Sequence, residues 1–334
     1  MNTLELHVHL EGSVSPRRLE TLAERHGLPE VPRLCLDESG RYRPVSDFAD
    51  FLDVFKAVKA VLRTPADYHT VALDLGAALA AQNVVYAEVT IGYGVMQHHG
   101  QDPLPVQVAL AEAAAEVATT HGVVLRWLPD AVRQWGADAA WRVLEAACKA
   151  GPRLGVVGFG MGGLEVAEPA SVYAQHFADA RAEGLGTTLH AGEVGNPEAV
   201  SDALAIGVQR IGHGTAAGLD PQLVSMLAVS GTFVELCPGS NVATGVVATL
   251  IDHPLRTFLD AGVCCCLNTD DPELFGLDLR GEYAAATEVH GLTPNEADIM
   301  RWQALAAAFM TEDLRKTIGA RLTPDADTHY ESTD

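Results

Sequence analysis

The sequence predicts an α/β chain folded as a (β/α)8 (TIM) barrel, on three observations. Eight apolar, β-rich runs alternate with helix-patterned stretches along about 300 residues, the rhythm of a parallel sheet. The runs are continuously apolar, as in strands buried on both faces. No G-x-G-x-x-G follows the first run, which disfavours an open nucleotide-binding sheet. A single domain over residues 1–334 is expected, with extra helices after the first strand and a helical tail.

The first strand is expected within Leu4–Gly12, LELHVHLEG. Ser15–His26 reads as a helix, with Ser and Pro at its start and Leu19, Leu22 and Ala23 at helical spacing. Residues 27–45, rich in proline and charge, read as a loop. Phe48, Phe51, Leu52, Phe55, Val58 and Leu62 recur at three and four, an amphipathic helix, and a second helix covers about Pro65–Gln82. The remaining strands are predicted at Val84–Ile91, Val123–Leu128, Gly155–Phe159, Gly186–Leu189, Arg210–Gly212, Thr232–Leu236 and Val263–Leu267. Helices are predicted between them near 104–120, 136–150, 169–183, 197–206, 221–229 and 252–260, with a helical tail near 278–320.

Composition excludes some functions. The formal net charge is −22 with only four lysines, which argues against a phosphate-backbone partner. No apolar run reaches the roughly 18 residues of a membrane span. Six cysteines, three of them consecutive (Cys264–Cys266), show no C-x-x-C pair and read as reduced, mostly buried thiols. A strand starting near residue 3 leaves no room for a leader, so a cytoplasmic protein is expected. The sequence leaves a homo-oligomer open.

The ionisable residues fall at the strand ends. His7 and His9, two apart in an extended run, project to one face and can share a metal ion. Glu11 follows on that face or just past the strand. His190 in LHAGE ends the fifth strand, with Glu193 three residues on; His213 in RIGHG ends the sixth; Asp270 and Asp271 in LNTDDP end the eighth. In barrel enzymes the active site lies at the C-terminal mouth, so these side chains should converge. His7, His9, His190 and Asp270 make a three-nitrogen, one-oxygen set suited to zinc, with a position left for water. His213 is expected to hold the metal-activated water, with a further nitrogen ligand as the alternative. Glu193 is placed to deliver a proton to substrate. Binuclear barrels often carry a bridging lysine at the end of strand four; no lysine lies near Phe159–Glu165, so one metal is expected. His98 and His99 read as a surface loop, and His253 and His290 as equally uninvolved. Cys264–Cys266 read as strand packing.

With these residues in view, the chain resembles the adenosine deaminase family of metal-dependent amidohydrolases over nearly its whole length. The motifs are HVHLEG (7–12), HAGE (190–193), RIGHG (210–214), SNVATG (240–245) and NTDDP (268–272). The resemblance implies that His7, His9, His190 and Asp270 bind one zinc ion. It implies that Glu193 protonates purine N1, that His213 orients and deprotonates the attacking water, and that Asp271 hydrogen-bonds N7. Gly163, in GFGMGGLE, would offer its backbone N–H to N3, glycine allowing a flat ring to approach the backbone. The helix bearing Phe51, Leu52 and Phe55 matches the family's lid. The implied reaction adds water at C6, protonates N1 and expels ammonia, leaving a hypoxanthine-type product.

Three departures bear on substrate. Adenosine-preferring members have aspartate where this chain has Glu11, a residue that would read the sugar. The family's strand-four GxDLAGDE is GFGMGGLE here, Gly160 and Leu164 replacing two acids, which should open space and remove charge. Strand two ends EVTIGYG, where an arginine and a proline are usual. The expected substrate is adenosine or a 5′-modified adenosine such as aminodeoxyfutalosine or methylthioadenosine. The alternatives are an adenine deaminase, another metal-dependent hydrolase, and a silent purine-binding protein.

Overall fold

The structure is a computed structural model that describes residues 1–194 and 196–323. Residue 195 and residues 324–334, the end of the domain expected over 1–334, lie outside the described residues. Eight parallel strands run in sequence order: β1 (Thr3–His9), β2 (Val84–Ile91), β3 (Val124–Val132), β4 (Gly158–Gly162), β5 (Gly186–Ala191), β6 (Arg210–His213), β7 (Phe233–Leu236) and β8 (Cys265–Leu267). Just beyond β8, Asp270 bridges in parallel to Val8 of β1, so the ring of strands is nearly closed. His9 N donates to Asp270 O at 2.8 Å and Asp270 N to His7 O at 3.1 Å, which seats the last acid beside the first histidines.

All eight residues of β2 are buried, as the continuous apolar runs predict. Outer helices cover one face of this strand and the packed barrel interior covers the other. Among the described residues, no helix is long and apolar enough to cross a membrane.

The predicted elements are all present, with informative differences. Strand β3 runs through Pro129 to Val132, four residues past the predicted end, and Asp130, Ala131 and Val132 pair with Gly160, Met161 and Gly162. Strand β4 covers Gly158–Gly162 rather than Gly155–Phe159: Pro152–Leu154 forms a 3-10 turn, and Val156 makes only an isolated bridge to Trp127 before the strand begins. The expected loop 27–45 contains a short helix, Glu30–Cys35, and an antiparallel bridge between Leu36 and Tyr42. The tail forms three helices, Leu279–His290, Pro294–Ala307 and Glu312–Leu322.

The helix Phe48–Lys59 lies over the mouth. Asp47 caps it, accepting from Asp50 N. Phe51 is buried, Phe48, Leu52 and Phe55 are partly buried, and the Phe51 and Phe275 rings stand 5.2 Å apart. The helix therefore has an apolar underside facing the strand ends rather than a place in the barrel core.

Candidate active site

A cavity of about 800 Å³ sits between the lid helix and the C-terminal strand ends. Of the residues the sequence nominates, Glu11, His9, Gly163, His190, Glu193 and His213 line it, as do Asp270, Asp271, Phe51, Leu52 and Phe55. His7 lies one layer deeper, buried beneath them.

The imidazoles converge as the strand-end placement predicts. The ligating atoms of His7, His190, His213 and Asp270 lie within 4.8 Å of one another. His9 joins them: its Nε2 is 3.3 Å from His190 Nε2 and 3.2 Å from Asp270 Oδ1. Neighbouring groups aim the rings. His7 Nδ1 donates to Glu235 Oε2 at 2.7 Å, and His190 Nδ1 donates to Met161 O at 3.2 Å. Both Nε2 lone pairs are thereby directed inward. Ser240 Oγ donates to Asp270 Oδ2 at 2.6 Å, leaving Oδ1 for the cluster. His213 and Asp270 are two of the three non-glycine residues with positive φ among those described, at 64° and 63°. Such backbone is costly and is retained where surrounding structure fixes it.

The residues fit a divalent cation. His7 Nε2 is buried and has no hydrogen-bond partner. Burial pulls the His7 and His9 imidazoles down, yet nearby carboxylates outweigh it and push them to about 10 and about 9. The spot therefore favours positive charge, and a metal ion supplies it without protonating the rings. Burial and the neighbouring imidazoles hold His190 well below its ordinary value, and burial above all holds His213 down at about 3. Neutral imidazole is the form that ligates or accepts a proton.

The two acids beside the cluster behave oppositely to Asp270. Burial, then Asp270, pushes both Glu193 and Asp271 well above the carboxylate range. Glu193 Oε1 lies 3.7 Å from His213 Nε2. Glu165 fixes the Glu193 loop, its two oxygens accepting from Gly192 N and Glu193 N at 2.7 Å each. Arg133, fully buried, donates to His190 O at 2.7 Å and braces the same turn. Asp271 Oδ1 is buried without a partner and so close to Gly12 that a Cβ there would be 1.8 Å away. Gly163 has φ +93°, and a Cβ on it would meet Gln134 Oε1 at 2.3 Å, so only glycine fits.

Over nearly its full length the sequence compares closely with known deaminases. The family model described as Adenosine deaminase matches residues 3–324. The chain belongs to the adenosine deaminase family. It is 36% identical to an aminodeoxyfutalosine deaminase from Streptomyces avermitilis over 95% of this chain and 89% of that one. It is also 36% identical to an adenine deaminase from Rhizobium leguminosarum bv. trifolii, over 96% of this chain and 99% of that one. The crystal structure of an adenine deaminase from Arthrobacter aurescens superposes with a TM-score of 0.86 at 26% identity, covering 96% of this chain and 97% of that one. Family relatives of equal similarity thus carry different substrate names, and overall likeness does not select between them.

Several expectations are corrected. His98 and His99 lie not in a plain loop but at the end of a short helix, Tyr93–His98, on the cavity rim, with His98 stacked on Trp135 at 4.3 Å. His253 and His290, read as uninvolved, do not line the cavity; both are buried, His253 Nδ1 accepting from Leu255 N and His290 Nε2 donating to Leu250 O. Each fixes a backbone segment. The space expected from Gly160 is filled, because a Cβ there would be 2.9 Å from Asp130 Oδ1. Glu11 does not simply face ligand: its Oε1 accepts from Lys59 Nζ at 3.2 Å and from Gly92 N at 3.0 Å.

Sequence reasoning missed Glu235, Glu165, Arg133, Lys59, Asp130 and Ser240. One signal was available: glutamate inside the otherwise apolar run FVEL is costly unless it is paired. Lys59 and Asp130 carry no such mark, since the first ends a helix and the second follows a proline.

Proposed function

We propose that the chain hydrolytically deaminates the 6-amino group of an adenine-containing substrate, with an adenine nucleoside, plain or modified at 5′, as the preferred class. The observation that supports this best is the conjunction of a ligating cluster with two further buried carboxyls, Glu193 and Asp271, in one lidded cavity. His7, His9, His190 and Asp270 hold a zinc ion, their mixture of imidazole nitrogen and carboxylate oxygen suiting that metal. When bound, the ion lowers the pKa of a coordinated water to about 7. His213 lies against the same cluster and orients the attacking water, taking its proton.

Glu193 carries the proton that N1 needs. A neutral carboxyl donates to the ring nitrogen, which weakens the C6–N1 double bond as C6 is attacked. N7 offers only a lone pair, so the carboxyl facing it must also be protonated, as burial beside Asp270 favours for Asp271. Gly163 N–H meets N3. Three fixed contacts around the ring bind the dearomatised carbon framework better than the flat base. Phe51, Leu52 and Phe55 cover the site and keep bulk water out.

Ultraviolet spectra distinguish adenine from hypoxanthine chromophores, so the test is direct. Zinc-loaded protein is given adenosine, methylthioadenosine, aminodeoxyfutalosine and adenine. Conversion of a nucleoside with the highest kcat/KM is expected. A higher value for free adenine moves the assignment to the second reading, adenine deamination, which the relatives so named support. A flat trace with all four overturns both.

A further inference from the structure

We infer that Asp130 is a specificity-determining residue whose carboxyl accepts a hydrogen bond from a donor on the sugar side of the purine. The donor is a ribosyl hydroxyl or the N9–H of a free base. The inference rests on the proposal that Gly163 meets N3.

Three observations carry it. Asp130 lines the cavity while being 7% exposed, and its Oδ1 has no hydrogen-bond partner. A buried acceptor left unpaired is costly and points to a partner that arrives with the ligand. Next, Asp130 stands opposite Gly160 in the β3–β4 register. Its carboxyl reaches across that strand: a Cβ on Gly160 would be 2.9 Å from Oδ1, and one on Gly162 would be 3.3 Å from Oδ2. The acid that strand four lacks is thus supplied by strand three, and two glycines make room for it. Third, it does not stand alone. Glu11 Oε2 is also buried, unpartnered and on the cavity wall, while Lys59 Nζ serves only the other Glu11 oxygen and Gly92 O. The one ammonium here, Lys59, pairs with Glu11 Oε1 and not with Asp130, so this part of the wall has surplus acceptors.

The location follows from purine connectivity. N3 is bonded to C2, which carries only a C–H, and to C4, which is bonded to N9; the only hydrogen-bond donor flanking N3 is therefore on the N9 side, which is where a carboxyl beside Gly163 finds its partner. Asp130 lies against Gly162, one residue before. Gly162 separates the Asp130 carboxyl from the His190 ring, a Cβ there being 3.3 Å from one and 3.4 Å from the other, so Asp130 reads what is attached at, or carried by, N9.

The experiment compares wild type with Asp130→Ala and Asp130→Asn on adenosine, adenine and 9-methyladenine, the last having neither a hydroxyl nor an N9–H. For 9-methyladenine the constant is KM or, if it turns over slowly, its inhibition constant. Asp130→Ala is expected to raise KM about tenfold or more for the donor-bearing ligand, with kcat changed less than about threefold. A rise for adenosine identifies a hydroxyl donor, a rise for adenine the N9–H. 9-Methyladenine should change little, and Asp130→Asn, which keeps an acceptor oxygen, should retain most of the wild-type KM. Metal content is measured on each variant and should be unchanged. Equal losses on all three ligands, lost metal, or no change on any overturns the inference. A wild-type protein that deaminates none of the purines overturns the underlying reading instead.

Discussion

Glu235 Oε2 accepts the Nδ1 proton of His7 at 2.7 Å. A carboxylate only accepts here, so His7 must carry its hydrogen on Nδ1 and present a bare Nε2 to the cluster. Glu235 is itself fixed by Arg210, 2.5 Å away and fully buried, and by Thr188 Oγ1 at 3.1 Å. Burial would raise its pKa, yet Arg210 and His7 overcome that and keep it low. An ion-paired chain three residues long thus orients a single ring nitrogen.

Glu235→Gln should weaken metal binding by about 10–100-fold, the usual effect of losing a partner that orients a ligand. Competition against a chromophoric chelator measures it. Unchanged affinity would remove Glu235 from that role.

Glu193→Gln keeps the shape and the backbone bond to Glu165 but has no acidic proton. The variant should bind its full complement of metal and lose about 10²–10⁴ in kcat. Near-wild-type turnover would show that N1 receives its proton elsewhere.

Removing the ion with a chelator should abolish turnover, and zinc should restore it. Zinc at about a hundred times its Kd should also stabilise the fold by about 2.7 kcal/mol. Thermal melts with and without the metal report this, and a melting temperature indifferent to zinc contradicts the assigned cluster.

Glu11→Asp withdraws the carboxyl by about 1.5 Å from Lys59 and Gly92 N, which Glu11 bridges. The order of kcat/KM among nucleosides should move toward plain adenosine. An unaltered ranking would mean that Glu11 does not read the sugar.

Glu282, outside the ligand set itself, gives a pH test. Burial lifts its carboxyl from the ordinary 4.5 to about 7, against one stabilising bond from Gly239 N. A raised folded pKa favours the protonated form, so its stability contribution is whole below about pH 4.5. That contribution is lost as the pH rises to about 7, at roughly 1.4 kcal/mol for each pH step of one between the two values. Relative to wild type, Glu282→Gln should therefore gain in unfolding free energy between pH 4.5 and pH 7, as read by urea denaturation. A constant difference across that range refutes the raised pKa.

Most of the architecture is readable from the chain because its signals are local. Continuous apolar runs mark the strands, and Val84–Ile91 has the predicted bounds. Helical spacing places Phe48–Lys59 close to its observed extent. Strand ends are the weak point: Pro129 suggests a stop, whereas the parallel pairing of Asp130–Val132 with β4 carries β3 onward. Neighbouring strands supply the hydrogen bonds that decide such an end, and they are remote in sequence.

By itself the sequence determined the barrel and the residue types at its mouth, because alternation of strand and helix forces every strand end to one side. It also nominated the imidazoles and acids that meet there. Only the tertiary structure decided how each is held and charged: Glu235 behind His7, Ser240 behind Asp270, Lys59 across from Glu11, and Asp130 in the space left by Gly160. Those relationships depend on distance and on exclusion of water between segments far apart along the chain, and neither quantity is written in any local pattern.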